Sequence, residues 1–278
     1  MGNNAPIGVF DSGLGGLTVL KEIIRNLPSE GTIYLGDTAR VPYGIRSPEV
    51  VTRYSFENTR FLLSRGIKLL VIACNTASAI SLEKLKQDVN IPVIGVIEPG
   101  ARAALKATRN GRIGVIGTET TIRSGAYARV LASLQPEVSV FSRPCPLFVP
   151  LVEEGWVDNE VALLAAKRYL AGLVEEGIDT VVLGCTHYPL LKKTIAEVMG
   201  GAVALIDSAN ETAREIKEVL AGQSLLNGAA NAPMREFYAT DAPERFKLLG
   251  GRFLGPDADY INNVKLMEVW DETRWTQK

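Results

Sequence analysis

Four side chains of this sequence are of the types that exchange protons near neutral pH, Cys74, Cys145, Cys185 and His187, the last being the single histidine of the chain. Cys74 and Cys185 each close a short apolar run rich in β-branched residues, LLVIACNTAS at 69–78 and TVVLGCTHYP at 180–189. Each run leads into a helical pattern. Such runs read as buried parallel strands, and open α/β sheets bind ligands where the C-terminal ends of their strands emerge. A thiol at that edge, where a helix begins, sits near the positive end of a helix dipole, which lowers its pKa from about 8.5 and raises its thiolate fraction. A buried cysteine is ordinarily a small hydrophobe. Two of them at matching strand tips point instead to one site with a thiol on each side. His187 stands just beyond Cys185, where it can give or take a proton. A zinc site built on Cys185 and His187 would lack the further His and spaced Cys that four ligands require, so no metal is expected. Cys145 lies among prolines at 144–150, breaks the pattern and reads as structural.

The elements that must position these groups alternate between strand and helix. The first part of the chain predicts strands over 7–10, 32–35, 69–74 and 92–97, the last tipped by Glu98, Pro99 and Gly100. Helices are predicted over 17–26, from Pro48 onward, over 77–87 and over 101–108. The pattern then restarts. Strands at 113–116, 138–141 and 203–206, and the tip at Cys185, each follow a counterpart about 110 residues earlier. Because tip residues match as well as strands, we read an internal duplication. Further helices are predicted over 159–176, 190–199 and 212–221, and the stretch 144–150 reads as irregular. The fold class is therefore α/β, with two pseudo-symmetric domains, each a mostly parallel sheet flanked by helices, and an active site in the cleft between them. The first domain is expected to comprise 1–98 plus a returning tail, 208–278, and the second 99–207. The tail carries a strand at 236–239 and a helix at 243–249. It is expected to cover the first sheet, since a parallel sheet needs cover on both faces.

Composition narrows the function classes. The net charge is −1, with 46% apolar and 22% charged residues, which gives no electrostatic case for nucleic acid or an anionic membrane. Three cysteines without a CxxC pair make no disulfide framework and favour a reducing compartment. There is no basic-then-apolar leader, Asp11 interrupting the one candidate. No apolar run approaches the roughly 20 residues of a membrane span. A cytoplasmic protein is expected.

The turn DSGLGG at 11–16 is not a dinucleotide fingerprint, because Thr18 stands where GxGxxG needs its last glycine. Such a turn still offers backbone N–H groups to an anion at a helix start. Asp11 would repel a phosphate and attract an ammonium. Asp11, the Ser12 hydroxyl and free N–H groups together suit a zwitterion. Tyr43 and Gly44 lie on a loop at the same sheet edge.

FDSGLGG (10–16), GDT (36–38), PYG (42–44), CNTAS (74–78), GVIEPG (95–100) and GCTHYPLL (184–191) resemble, in the same order, the motifs of the glutamate racemases within the aspartate/glutamate racemase family. Aspartate racemases share the Cys-Asn-Thr stretch but typically carry Glu where this chain has His187. The resemblance implies an isomerase that interconverts L- and D-glutamate with no cofactor, D-glutamate serving bacterial peptidoglycan. It implies that Cys74 and Cys185 are the acid–base pair, assisted by Asp11 and His187, with Asp37 and Glu153 supporting. It implies that Ser12, Pro42, Tyr43, Gly44, Asn75, Thr76, Thr118, Thr121 and Thr186 hold the substrate together with Asp11 and His187. A homodimer is the expected assembly.

Racemisation suits a thiol on each side of one site. Racemisation removes the proton from one face of Cα and returns one to the other, which one base cannot easily do. Two facing halves supply a thiolate on one side and a thiol on the other, and oriented donors around the carboxylate stabilise the carbanion. Two other readings stay open at this point: a racemase for another acidic amino acid such as aspartate, and a non-catalytic binding protein for an amino acid or nucleotide.

Overall fold

Strands buried along their whole length have no solvent face, and in this chain they pair in parallel. The computed structural model describes residues 3–228, 232–255, 261 and 263–267. In chain order the first half comprises Ile7–Asp11 (β1), Leu17–Asn26 (α1), Thr32–Gly36 (β2), Pro48–Ser64 (α2), Leu69–Ile72 (β3), Asn75–Asp88 (α3), Val93–Gly95 (β4) and Ile97–Ala107 (α4). The second half comprises Arg112–Gly117 (β5), Glu119–Arg123 (α5), Ala126–Leu134 (α6), Ser139–Pro144 (β6), Phe148–Glu154 (α7), Glu160–Glu175 (α8), Thr180–Gly184 (β7), Lys192–Met199 (α9) and Ala204–Ile206 (β8). Ala209–Gly222 (α10), Arg235–Ala239 (β9), Pro243–Leu254 (α11) and Val264–Leu266 (β10) follow.

Two sheets result. One has the order β10-β9-β2-β1-β3-β4 and the other β6-β5-β7-β8, and every described pair is parallel. The run β2-β1-β3-β4 and the run β6-β5-β7-β8 share one topology: second strand, first, third, fourth. In both, the order reverses between the first and third strands, and that switch point is where a ligand crevice opens. The tail strand β9 pairs with β2, and β10 pairs with β9.

Helix α1 shows how the layers close. Leu17, Leu20, Ile23 and Ile24 recur at helical spacing and are buried, so one stripe faces the core. Helix α10, buried along Ala209, Ala213, Ile216 and Leu220, shares that core cluster. No described helix is long and apolar enough to cross a membrane.

Three local expectations change. The fourth strand ends at Gly95, and Glu98, Pro99 and Gly100 lie in the first turns of α4 rather than at a strand tip. The stretch at 144–150 is not wholly irregular, because Phe148–Glu154 is helical. In both helices the proline falls in the first turn, where a missing N–H breaks no intrahelical bond. Helices α5 and α6 had no counterpart in the sequence reading. They are short, and α6 follows Gly125 in the left-handed region at φ 65°.

Candidate active site

Register delivers the chemical residues to one edge. Phe10 pairs with Ile72, so Asp11 and Ser12 emerge beside Ala73 and Cys74. Gly117 pairs with Gly184 in the other sheet, so Thr118 and Cys185 emerge side by side. The two edges face each other. The Thr18 hydroxyl donates to the Thr186 carbonyl at 3.2 Å, and Thr76 of α3 meets Thr118 and Thr121 in a triangle of hydroxyls with edges of 2.9, 3.0 and 2.9 Å.

Both thiols face one small cavity of about 30 Å³, room for roughly one water. Ser12, Pro42, Tyr43 and Gly44 form its wall on one side, with Asn75 and Thr76 beside Cys74. Thr118, Thr186 and His187 line it on the side of Cys185. Val41, Val149 and Gly184 complete the lining and carry no polar side chain by which sequence reading would single them out. Asp11, Asp37, Thr121 and Glu153 stand behind this wall and reach the site through other side chains.

Cys74 caps α3. Its sulfur accepts from the Ala77 N–H at 3.5 Å, and its thiol donates to Ser12 Oγ at 3.5 Å. The helix start does not win the electrostatic contest. Burial, and then the Asp11 charge, push the Cys74 thiol up to about 12, against the Ala77 N–H and the Ser12 hydroxyl. The expectation of a lowered pKa fails here because the site is closed, so desolvation of a thiolate exceeds what one helix end returns.

Asp11 is fully buried. It accepts from the Gly13 N–H at 2.9 Å and from the Thr186 hydroxyl at 3.4 Å. The Gly13 donor that a bound anion would use is thus consumed by Asp11 within the turn. Burial raises the Asp11 pKa, while His187 and the N–H groups of Gly13 and Gly16 pull it down. Gly15 must lack a side chain because Thr186 and His187 lie against it, and Gly44 because a Cβ would come 2.5 Å from Thr118 Cβ.

On the other side, the Cys185 sulfur lies 4.0 Å from His187 Nδ1, and His187 Nε2 lies 3.1 Å from Glu153 Oε1. The Phe253 ring packs edge-on to the imidazole at 5.3 Å. Burial opposes a charged imidazole, but hydrogen bonding to Cys185 and Glu153 outweighs it and raises His187 to about 10. The same contact lowers Glu153. His187 is therefore an imidazolium at neutral pH.

Asp37 anchors the Tyr43 loop. It accepts from the Tyr43 hydroxyl, from Arg40 Nε at 2.8 Å and from the Thr240 hydroxyl at 3.0 Å. Asn75 is held by Tyr127, whose hydroxyl donates to Asn75 Oδ1 at 2.7 Å. Sequence reading missed Arg40, although it lies between the GDT and PYG motifs, and missed Tyr127 and Thr240, which no spacing places near the motifs they serve. Among the described residues no group of three or more His, Cys, Asp or Glu is arranged to hold a metal ion.

Two parallel α/β sheets thus meet at their C-terminal edges, and each brings a buried thiol to one small cavity. The family model described as Asp/Glu/Hydantoin racemase matches residues 7–216. A glutamate racemase from Geobacter metallireducens is 60% identical over 260 residues, 94% of this chain and 96% of that one. Among solved structures, a glutamate racemase isoform from Bacillus anthracis superposes with TM-score 0.90 at 44% identity, over 96% of this chain and 98% of that one. A glutamate racemase from Francisella tularensis, solved in complex with D-glutamate, gives TM-score 0.89 at 39% identity over 95% and 98%. The chain belongs to the aspartate/glutamate/hydantoin racemase family of isomerases, among its glutamate racemases.

Proposed function

We propose that this chain interconverts L- and D-glutamate without a cofactor, Cys74 and Cys185 each exchanging a proton with one face of Cα. The observation that carries the reading is the pair of buried thiols brought from equivalent strand ends to one cavity. Glutamate is larger than that void, so its entry parts the two sheet edges. Closure around it then keeps water from the carbanion.

The residues take roles that their surroundings favour. Asp11 acts from behind the wall, holding the Thr186 hydroxyl and placing a negative charge beside Cys74 that favours an ammonium in the cavity. The His187 imidazolium, held by Glu153, faces Cys185 and offers a proton on that side. The hydroxyls of Ser12, Thr76, Thr118, Thr121 and Thr186, the Asn75 amide and the Pro42–Tyr43–Gly44 loop orient the two carboxylates, and donors at the α-carboxylate stabilise charge as the proton leaves. Asp37 keeps the loop in place.

We read residues 1–98 plus 208–278 as one domain and 99–207 as the other. The bacterial origin of the relatives supports D-glutamate for peptidoglycan as the use of the product, in the cytoplasm; the assembly we propose is a homodimer. Incubation with L-glutamate, no cofactor added, should bring optical rotation to zero, and aspartate should leave it unchanged. Persistent rotation with glutamate, or equal rates with aspartate, would overturn the assignment.

A further inference from the structure

Tyr127 lies outside every motif discussed above. It is buried in the first turn of α6, in the second half of the chain, yet its hydroxyl ends on Asn75 in the first half. Its ring passes behind the strand tip that carries Cys185. A Cβ on Gly184 would come 3.1 Å from the ring, and one on Gly100 would come 3.2 Å from the hydroxyl. The absence of side chains at Gly184 and Gly100 thus opens the path by which Tyr127 reaches Asn75. Tyr127 is not part of the cavity wall, whereas Asn75 is.

A carboxamide has an acceptor end and a donor end, and its terminal torsion is roughly two-fold. Left alone, Asn75 could present either end to the cavity. The Tyr127 hydroxyl donates to Oδ1, which occupies the acceptor end. The Nδ2 group has no hydrogen-bond partner among the described residues, and Asn75 lines the cavity. Burial, and then charge on Cys185, hold the Tyr127 hydroxyl protonated far into alkali, so it remains a donor wherever the enzyme works.

We propose that Tyr127 is a positioning residue that sets the direction of the Asn75 amide, turning its N–H donors into the cavity toward a substrate carboxylate. The inference rests on the two-thiol racemase reading above. Without the hydroxyl, the amide samples both orientations, and the reversed one places a carbonyl against a carboxylate. The enantiomers are equal in free energy, so kcat/KM must fall equally for both.

A double-mutant cycle with Asn75→Ala tests this. Tyr127→Phe should lower kcat/KM for L- and D-glutamate about tenfold, mostly through KM, the size of one well-placed hydrogen bond. In the Asn75→Ala background the same change should cost less than about twofold, since the group it acts through is gone. A merely structural tyrosine would give the same fold-loss in both backgrounds. That outcome, or a Tyr127→Phe enzyme within twofold of the wild type, would overturn the proposal. Tyr127→Met, which also lacks the hydroxyl, runs the same cycle if the Phe variant does not fold. A wild-type protein inactive on glutamate would remove the racemase reading itself, whereas an active one with additive losses removes only the role of Tyr127.

Discussion

The two thiols occupy equivalent strand ends, yet a different ionisable group stands beside each. Cys74 directly caps a long α-helix and shares its corner with a buried carboxylate, Asp11. Cys185 is followed by a 3-10 turn at Tyr188–Leu191 and by an imidazole held by Glu153. At the offset relating the halves, Asp11 corresponds to Gly117 and His187 corresponds to Thr76. The shared topology gives two equivalent places, and the residues there differ: a lone carboxylate stands beside Cys74, and an imidazole paired with Glu153 stands beside Cys185. A symmetric site would bind a flat carbanion equally from both faces. This one has an acid-lined side and a proton-rich side, which suits a zwitterion that must lose and regain a proton.

The comparison breaks first at the sulfurs. Cys74→Ala and Cys185→Ala should each lower racemisation by about 10²- to 10⁴-fold, the usual weight of a positioned acid–base group. In heavy water each variant keeps one base. Cys185→Ala should label D-glutamate through Cys74, and Cys74→Ala should label L-glutamate through Cys185, as read by mass spectrometry. Both variants labelling the same enantiomer, or near-normal racemisation by either, would end the assignment of one thiol per face.

The partners of the thiols come next. Asp11→Asn and His187→Asn should each reduce kcat about 10- to 100-fold. The equilibrium constant forbids an asymmetric loss of kcat/KM, so the asymmetry must appear in isotope effects. A variant that slows one proton transfer exposes that step. His187→Asn should raise the primary deuterium effect with L-glutamate, and Asp11→Asn with D-glutamate. Equal effects in both directions would mean that the partners do not belong to separate sides.

A smaller effect concerns pH and stability. His187 is raised from 6.5 to about 10 by its partners, so its contribution to stability is complete below 6.5 and is lost as pH climbs through about 10. Glu153, lowered from 4.5, contributes above 4.5 and loses its share as pH falls through its lowered value. Melting temperature should therefore decline between pH 6.5 and about 10 in the wild type and be flatter in His187→Asn. Parallel profiles would show that the imidazolium is not held as described. The smallest effect is expected at the third cysteine. Cys145 is buried away from the cavity, its thiol donating to the Arg143 carbonyl at 3.7 Å. Cys145→Ala should keep kcat/KM within about twofold and cost about 1 kcal/mol in a denaturant melt, the scale of one small buried group lost.

Residue types and spacing were enough to locate both thiols, the alternation of strands and helices, and the repeat that sets Cys185 opposite Cys74. Those features are local: a β-branched run ending in cysteine and followed by a helical stripe reads the same in any context. Local signals also placed α1 and the start of α2, where Ser47 accepts from the Val50 N–H and Pro48 opens the helix. They misplaced the end of β4 and read 144–150 as irregular although a helix begins at Phe148, because a proline in a first helical turn looks like a breaker until the backbone is seen. What only the tertiary structure decided is the electrostatics. The Cys74 thiol rises rather than falls because the cavity closes over it, and His187 is raised by its sequence neighbour Cys185 and, beyond what sequence spacing shows, by Glu153 and Asp11, which are distant along the chain. Tyr127 reaches Asn75 across 52 residues of chain. Desolvation and pairing depend on distances through space, and a sequence carries those distances only where local structure transmits them.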